Sequence, residues 1–475
     1  MAFLYDTPSD YLDTPALTSS KGAVSYRALL RSAEKTARQL VTLGLKPGDP
    51  VAVKGYPTVE VVTALHGVWL AGGVATPLHP GWTAKEEERA LGLLEPRVTL
   101  VAQGISPPRE GRGTGPRLTL GPTDQGEMET LSSHWPDTRP LDSRPASRRD
   151  QEPAARLLTS GTSGAPSMVT LTFRNLVANA EGARRCLSLH PSDRWLASLA
   201  LAHVGGVAMV TRGALVGSAL VLTGRFQAGA FAEMVRDGVV THASLVPTML
   251  RQYLSIQGEE AVPRTLRCLL IGGAHADADL VQDALGKGLP LALTYGMTEA
   301  CSQVATAPPD LTAKKPGTVG SPLPGVEVRL SSEGEVWVRG ETVAPGKRDE
   351  NGWFKTGDLA RMDEDGDLWI IGRMTSRIIS GGVNVDPAEV EALLRTHPGV
   401  TEAAVVGIPD PDWGERVVAA VATGSGGNLE KGELDRLSRA ALSPAKRPRA
   451  FALLSNLPRN ANGKVDRERV RDLFR

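Results

Sequence analysis

Apolar residues in the N-terminal part of the chain switch repeatedly between helical and strand-like spacing. From Ser25 to Leu43 they recur every three or four positions, which predicts an amphipathic helix that ends at Gly44. Similar spacing predicts helices over 58–70 and 83–94. Short apolar runs between these helices predict buried strands at Val51–Lys54, Val74–Pro77 and Arg97–Val101. Strands that alternate with helices predict a layered α/β sheet.

The same alternation resumes after a segment of different character. Residues Gln103–Asp150 are rich in Pro, Gly, Ser, Arg and Asp and show little apolar periodicity, which predicts a long surface connection with short strands. Beyond it, a helix is expected to start near Thr172. The later apolar runs predict strands at Trp195–Leu199, Ala219–Leu222, Val239–Leu245, Leu266–Ile271 and Leu291–Tyr295.

The C-terminal part predicts two smaller units. Short alternating strands at Val326–Leu330, Glu335–Arg339 and Leu368–Ile371, separated by Gly and Pro, indicate a small β-barrel-like subdomain. Helices at Pro387–Arg395 and Glu430–Ala441 and strands at Ala403–Val406 and Val417–Val421 then indicate a compact α+β unit. The fold class predicted is therefore α/β, with a large N-terminal domain over 1–372 and a small C-terminal domain over 373–475.

Two uncharged stretches, Val61–Leu78 and Trp195–Thr211, are long enough to be considered as membrane spans. Both contain histidine and glycine, and the first also contains Pro77, so each is interpreted as a buried helix joined to a strand. The N-terminus has Asp6 and no basic segment followed by an apolar one, so no secretory signal is expected. We therefore expect no membrane insertion.

Composition narrows the classes of partner. Lys plus Arg and Asp plus Glu both number 53, so no net charge favours nucleic acid, and small soluble ligands are expected. Cys186, Cys268 and Cys301 lie far apart without CxxC spacing, which fits neither a disulfide framework nor a zinc site and favours a reducing cytoplasm. The sequence leaves open whether the chain forms a homo-oligomer.

The stretch Leu157–Leu171, LLTSGTSGAPSMVTL, is the strongest local signal for a ligand. Its glycines and small hydroxyl residues leave backbone N–H groups accessible to an anion, which suits the phosphates of a nucleotide triphosphate. The Gly-Lys-[Ser/Thr] ending of a Walker loop is missing. The alternative interpretation is a Ser/Gly-rich surface turn.

Other candidate residues follow predicted strands. In YGMTE, the Tyr295 ring could stack on a base, the Thr298 hydroxyl could contact a phosphate, and the Glu299 carboxylate is a hard oxygen ligand suited to Mg²⁺. Gly272–Gly273–Ala274 would let a flat ring approach the backbone closely. Asp358 can accept hydrogen bonds from ribose hydroxyls, although a turn aspartate is the alternative. Lys464, in PRNANGK, could equally be a solvated charge.

Five motifs occur in an order that resembles the adenylate-forming acyl-CoA synthetase superfamily: TSGTSGAPS, YGMTE, GWFKTGDL, GRMTSRIISGGVNVDPAEVE and PRNANGK. The resemblance covers essentially the whole chain. It implies that a carboxylic acid attacks ATP to give an acyl-adenylate and pyrophosphate, with Mg²⁺ as cofactor, and that coenzyme A then takes the acyl group. It also implies a mobile small domain that rotates between the two half-reactions.

The resemblance implies a role for each matched residue. Lys464 would reach the α-phosphate and the acyl carboxylate, Glu299 would hold Mg²⁺, and Thr298 would contact the phosphate. Asp358 and Arg373 would bind the ribose hydroxyls. The remaining nucleotide and pantetheine positions fall into three groups: Thr159, Ser160, Gly161, Thr162, Ser163 and Gly164 for the β- and γ-phosphates; Gly272, Gly273, Ala274, Tyr295 and Gly296 near adenine; and Gly381 and Gly382 beside pantetheine.

The acyl pocket is less well defined by the sequence. His203, in LALAHVGG, matches the position where many acyl-CoA-forming relatives carry a histidine near the carboxylate and the thiol path, although a buried core histidine is the alternative. Thr248, Ser302 and Gln303 are further candidates for the pocket lining. No aspartate near His203 is available to bind an amino group, which disfavours amino acids as substrates.

Within the superfamily, YGMTEACSQVAT and IISGGVNV are most similar to ligases that act on o-succinylbenzoate in menaquinone biosynthesis. This similarity implies an aryl acid with a second carboxylate, for which Ser302 and Gln303 would supply hydrogen-bond donors. The alternatives are another aryl- or fatty-acyl-CoA synthetase, or a catalytically silent binding member. Three departures from the family pattern are Ser167 and Ile379, where many relatives have lysine, and Thr375 at the hinge position.

Overall fold

The computed structural model describes residues 11–108, 115–121, 150–159, 167–258, 261–374, 378–380, 383–423, 429–460 and 464–475. The chain divides into two compact units. The large unit comprises residues up to Arg329 together with Trp337–Lys355 and Met362–Trp369, and the small unit comprises Leu330–Val336, Thr356–Arg361 and Ile370–Arg475. The domain boundary between residues 372 and 373 stays a prediction. The small unit of the structure also includes residues 370–372 and the two earlier segments Leu330–Val336 and Thr356–Arg361.

The strands in chain order are β1 Pro15–Ser19, β2 Gly22–Ser25, β3 Pro50–Lys54, β4 Val74–Leu78, β5 Val98–Ala102, β6 Arg117–Leu120, β7 Pro153–Thr159, β8 Ser167–Thr172, β9 Arg194–Leu196, β10 Ala219–Val221, β11 His242–Leu245, β12 Cys268–Ile271, β13 Leu291–Met297, β14 Ser302–Ala307, β15 Val326–Leu330, β16 Glu335–Gly340, β17 Phe354–Met362, β18 Leu368–Arg373, β19 Ile378–Ser380, β20 Val383–Val385, β21 Val400–Asp410, β22 Gly414–Thr423 and β23 Ala450–Leu454.

The helices in chain order are α1 Tyr26–Thr42, α2 Val59–Leu70, α3 Ala84–Leu94, α4 Phe173–Cys186, α5 Val204–Val216, α6 Ala228–Arg236, α7 Pro247–Leu254, α8 Ala278–Gly286, α9 Pro309–Lys314, α10 Pro387–Arg395, α11 Lys431–Ala441 and α12 Arg467–Asp472. Side-chain caps define several of the starts: the Ser25, Thr83 and Thr172 hydroxyls accept from backbone N–H groups in the first turns of α1, α3 and α4. Among the described residues, no helix is both long and apolar enough to cross a lipid bilayer.

Two sheets carry the large unit. The first has the order β6-β5-β3-β4-β7-β8, and its paired strands are parallel except for β8, which is antiparallel to β7. The second has the order β14-β13-β12-β11-β9-β10-β1-β2 and is parallel from β13 to β1, with antiparallel strands at both edges. This layered α/β arrangement confirms the fold class predicted from the sequence.

The small unit has its own core on both faces of a sheet. Strands β20-β19-β22-β21 are neighbours in that order, and β23 pairs with β22. Along β21 and β22 successive side chains point to opposite faces: Val405 and Val417 pack with the apolar residues of α10 and α11, whereas Val406 and Val418 pack with Val470 of α12. The β-rich segment before it forms a separate four-stranded sheet, β15-β16-β17-β18.

Most predicted elements are confirmed to within a few residues, and the differences have local causes. The predicted strand Val239–Leu245 begins only at His242, because the chain leaves α6 through Gly238, which has a φ of +65°. The hairpin β1–β2 was not predicted, since its strands are short and only half apolar. Each uncharged stretch contains a helix and a strand: α2 precedes β4, and β9 precedes α5.

Tyr26 connects the start of α1 to the end of α5. Its buried hydroxyl lies 2.7 Å from the Gly213 carbonyl oxygen and 2.8 Å from the Ser218 carbonyl oxygen, so it can donate to either one. Burial without charge compensation raises the pKa of this phenol, so it remains a donor. The side chain therefore satisfies backbone acceptors at the point where α5 turns into β10.

We expect Tyr26→Phe to lower the free energy of unfolding by about 1–3 kcal/mol, because the substitution removes a donor from buried acceptors. Urea unfolding followed by tryptophan fluorescence measures the change. Tyr253→Phe is the matched control, because Tyr253 is also buried and no hydrogen bond of its hydroxyl is found within the described part of the chain. Equal effects of the two substitutions would contradict the assignment.

Candidate active site

Four neighbouring parallel strands of the eight-stranded sheet deliver candidate residues to one edge. Strands β9, β11, β12 and β13 run in the same direction, so their carboxyl ends lie together. His203 precedes α5 after β9, and Thr248 lies in α7 after β11. Gly272–Gly273–Ala274 follows β12, and Tyr295–Glu299 completes β13 and the turn after it. The topology thus brings these predicted residues to the same edge.

The two glycines after β12 are required by local geometry. A Cβ on Gly272 would lie 2.6 Å from Cγ2 of Thr294 on the adjacent strand, and Gly273 has a φ of +78°, which favours glycine. The chain therefore passes close to β13 without side chains in between. Tyr295 is buried on β13, one residue after Thr294. This arrangement supports a narrow site for a flat ring beside Tyr295.

Close backbone contacts determine the shape of the turn after β13. A Cβ on Gly296 would lie only 1.7 Å from the Ser302 carbonyl oxygen, and the pairing of β13 with β14 shifts register there. Thr298–Ala300 forms a single 3-10 turn, after which Cys301 and Ser302 adopt φ values of +56° and +94°. The Ala344 N–H donates to the Glu299 carbonyl at 2.8 Å. These constraints hold the half-buried Thr298 and Glu299 side chains at the sheet edge.

The glycine-rich loop connects β7 to β8 in the other sheet of the large unit. Ser160, Gly161, Thr162, Ser163 and Gly164 lie outside the described residues, whereas Thr159 ends β7. The Thr159 and Ser167 hydroxyl oxygens are 2.8 Å apart. Ser167 and Thr159 are therefore in contact where β7 ends and β8 begins. Strand β8 also lies against the Thr298–Ala300 turn.

Gln303 is tied to a buried arginine that the sequence analysis did not identify. Its Nε2 donates to the Thr306 hydroxyl at 2.7 Å, and its Oε1 accepts from Nη2 of Arg212 at 2.6 Å. Arg212 is only 3% exposed and lies over the Trp195 ring, 4.7 Å from its centroid. Its Nε and Nη1 atoms have no hydrogen-bond partner among the described residues. Gln303 is therefore buried and committed to this network, and Ser302 lies half-buried beside it.

The signal for Arg212 was present in the sequence. It is the one charged residue in the apolar helix Val204–Val216, immediately after the uncharged stretch that ends at Thr211. A lone charge in a buried helix requires compensation, because burial of an ion without a partner costs several kcal/mol. Burial lowers the pKa of Arg212 to about 10, which still leaves the guanidinium charged at neutral pH.

The small unit gathers three of the predicted nucleotide residues. Nε of Arg373 donates to Oδ1 of the buried Asp358 at 2.6 Å. Desolvation and the nearby Arg373 charge lower the pKa of Lys464, and Asp358 opposes that change. The Lys464 backbone N–H donates to Oδ1 of Asn460 at 3.1 Å, which holds the C-terminal turn. Asp358, Arg373 and Lys464 thus form one polar cluster.

The other predicted positions of the small unit give less information about a binding site. Gly381, Gly382 and Thr375 lie outside the described residues. Ile379, in β19, is 57% exposed, and its N–H donates to Oε2 of Glu415 at 2.8 Å. Its apolar side chain therefore faces solvent where many relatives carry a lysine.

Comparisons with known proteins identify the family of the chain. Residues 4–346 match the AMP-binding enzyme family, and residues 389–464 match the AMP-binding enzyme C-terminal domain. The chain is similar to the 2-succinylbenzoate–CoA ligases of Bacillus licheniformis, with 33% identity and 96% of each chain covered, and of Geobacillus kaustophilus, with 32% identity and 97% of this chain and 95% of the relative covered.

Solved structures give the same result. The o-succinylbenzoate CoA synthetase (MenE) of Bacillus subtilis in complex with the acyl-adenylate intermediate OSB-AMP has a TM-score of 0.85 and 28% identity, covering 99% of this chain and 98% of that one. ATP-bound MatB of Rhodopseudomonas palustris has a TM-score of 0.86 and 26% identity, covering 100% and 99%. Sequence and fold agree, and the chain belongs to the AMP-binding enzyme family.

Proposed function

We propose that this protein is an ATP-dependent acid–thiol ligase that converts o-succinylbenzoate to o-succinylbenzoyl-CoA through an acyl-adenylate, as a step of menaquinone biosynthesis. The observation that carries the proposal is the convergence of His203, Gly272–Ala274 and Tyr295–Glu299 at one sheet edge. The similar chains named 2-succinylbenzoate–CoA ligase support the choice of reaction.

Nucleotide contacts are proposed for each unit separately. In the large unit, Tyr295 with Gly272, Gly273, Ala274 and Gly296 would accommodate adenine, and the loop from Thr159 to Gly164 would hold the β- and γ-phosphates. Two features support the adenine assignment: the absence of side chains at 272 and 273, and the burial of Tyr295 next to them. In the small unit, the Asp358 carboxylate, oriented by Arg373, would accept hydrogen bonds from the ribose hydroxyls.

Positive charge at the reacting phosphate would come from two sources, Mg²⁺ and Lys464. The carboxylate oxygen of the acid attacks the α-phosphorus, the bond to the bridging oxygen breaks, and pyrophosphate leaves, so negative charge accumulates in the transition state. The Glu299 carboxylate is a hard oxygen donor on this turn, which fits Mg²⁺, and the ion would supply positive charge to the phosphates. The Thr298 hydroxyl would contact a phosphate. Lys464 would supply an ammonium group to the α-phosphate and the acyl carboxylate.

The second half-reaction forms the thioester. The sulfur of coenzyme A bonds to the acyl carbonyl carbon, the thiol loses its proton, and AMP leaves with the electron pair of the broken C–O bond. His203, half-buried at the start of α5, would lie beside the carbonyl and the thiol. Gly381 and Gly382 would border the pantetheine arm.

An acid with a second carboxylate suits the buried arginine. Arg212 has donors at Nε and Nη1 without partners among the described residues, and Oε1 of Gln303 orients its Nη2. A carboxylate is the acceptor that a guanidinium binds most strongly. We assign the distal carboxylate of o-succinylbenzoate to Arg212, with Ser302, Gln303 and Thr248 in the surrounding pocket. Gln303 thus contributes mainly by positioning Arg212.

The proposal includes a cytoplasmic location. Cys186, Cys268 and Cys301 are free thiols in the structure, as expected for a reducing compartment. ATP and coenzyme A are also available there as co-substrates.

The reaction is tested by its products. With Mg²⁺, ATP, coenzyme A and o-succinylbenzoate, we expect stoichiometric release of AMP and pyrophosphate with formation of the thioester, measured by coupled pyrophosphate detection and mass spectrometry. Omission of coenzyme A should leave a single turnover of pyrophosphate. Failure to release pyrophosphate with a broad panel of acids would exclude the ligase, leaving a binding member of the family.

Lys464→Ala should lower the rate of adenylation about 10²- to 10³-fold, because it removes a preorganised positive charge from the transition state. Thioester formation from supplied acyl-adenylate should change little. Single-turnover assays measure the two half-reactions separately, and Lys431→Ala, at an exposed lysine of α11, is the matched control. Equal losses in both half-reactions would indicate damage to the small unit instead.

Arg212→Met should lower kcat/KM for o-succinylbenzoate about tenfold to a hundredfold, since it removes charged hydrogen bonds to the distal carboxylate. Benzoate and a medium-chain fatty acid lack that group and should be affected much less. The variant is expected to fold, because apolar replacement of a buried charge is often neutral or stabilising. Preference of the native protein for benzoate or the fatty acid would overturn the choice of acid, and equal losses for all acids would remove Arg212 from recognition.

A further inference from the structure

A second histidine, His79, lies directly beside His203. The two ring centroids are 5.8 Å apart, with an angle of 48° between the ring planes. His79 follows β4 of the six-stranded sheet, whereas His203 precedes α5 of the eight-stranded sheet. Strand β4 is parallel to β7, which ends at Thr159, so His79 leaves the same sheet edge as the glycine-rich loop. The histidine pair therefore lies where both sheets present candidate residues.

The position of His79 is fixed by a tight turn. The Gly81 N–H donates to Nδ1 of His79 at 3.0 Å, and the Trp82 N–H donates to the His79 carbonyl at 3.2 Å. Nδ1 acts as an acceptor, so the neutral ring carries its proton on Nε2. Burial lowers the pKa of His79, and Glu86 only partly opposes this effect, which favours the neutral ring. His79 is therefore held in one tautomer and in one turn conformation.

The turn is also anchored to the core. The Trp82 ring lies 6.3 Å from the His79 ring and packs on the apolar cluster beneath α3. Leu158, the residue before Thr159, packs on the same cluster. His79 thus has both an anchored tryptophan and His203 as ring neighbours. Neighbouring packing of this kind restricts the rotamers of a functional side chain.

We propose that His79 is a positioning residue that holds the His203 imidazole in its working orientation beside the acyl group. The inference rests on the proposed function, in which His203 lies at the acyl carbonyl. His203 is half-buried at the first turn of a helix, and the ring of His79 is its aromatic neighbour, with 5.8 Å between the ring centroids. Small errors in orientation are costly, since reacting groups must meet within a narrow range of distance and angle.

Two substitutions separate the ring of His79 from its role in the turn. Asparagine can accept the Gly81 N–H through its side-chain oxygen, as in an Asx turn, but it lacks the ring that contacts His203. His79→Asn should therefore lower kcat for thioester formation about 10- to 100-fold, with unchanged KM for ATP and an unchanged thermal midpoint. His79→Ala removes both contacts and should also lower the thermal midpoint. The control is His190→Asn, at an exposed histidine, which should resemble the native protein.

A double-mutant cycle tests whether His79 acts through His203. In the His203→Ala background, His79→Asn should have less than about a twofold further effect, because residues that act together are non-additive. The inference is overturned if kcat of the double variant falls by the product of the two separate losses, or if His79→Asn alone keeps full activity. The ligase assignment stands in either case. Absence of pyrophosphate release by the native protein would instead refute the proposed function, and the inference with it.

Discussion

The closest backbone approach at the site lies between Gly296 and the Ser302 carbonyl. Any Cβ at residue 296 would lie 1.7 Å from that oxygen, so β13 and β14 can pair only if this position is glycine. The tight pairing forces Cys301 and Ser302 into left-handed conformations, which non-glycine residues adopt at a cost of about 1–3 kcal/mol each. Pairing along the rest of β14 compensates for that cost. The resulting turn fixes Thr298 and Glu299 directly after β13.

A second constraint is that the buried charge of Arg212 requires compensation. Trp195 contacts both Arg212 and His242, with the His242 ring stacked on the indole at a centroid distance of 4.9 Å. Burial lowers the pKa of His242 and Asp193 opposes this change only in part, which favours a neutral imidazole. The stack therefore contributes one cation and two aromatic rings, and no carboxylate contacts the guanidinium among the described residues. Such a charge fits a site that receives an anionic group better than it fits an ordinary core.

The sequence predicted the layers and the edge residues because both depend on local patterns. Alternating helical and strand periodicity determines a parallel sheet, and residues that follow its strands meet at one edge, as found for Gly272 and Tyr295. Arg212 and His79 were not predicted. The contacts that matter here, Arg212 with Gln303 and His79 with His203, connect positions 91 or more residues apart in the chain, and no periodicity encodes such pairs. The conformations of Cys301 and Ser302 likewise depend on β14, which the apolar pattern alone did not define.

The separate cores have a consequence for how the molecule responds to heat. Apolar residues of the small unit pack on both faces of β21 and β22, and the clusters around α10 and α12 contain only residues of that unit. Cooperativity in unfolding requires shared buried surface, so a unit with its own interior can lose its structure in a transition of its own. Calorimetry would then record overlapping endotherms rather than one two-state peak. The smaller endotherm would report on Asp358, Arg373 and Lys464 independently of the sheet edge in the large unit.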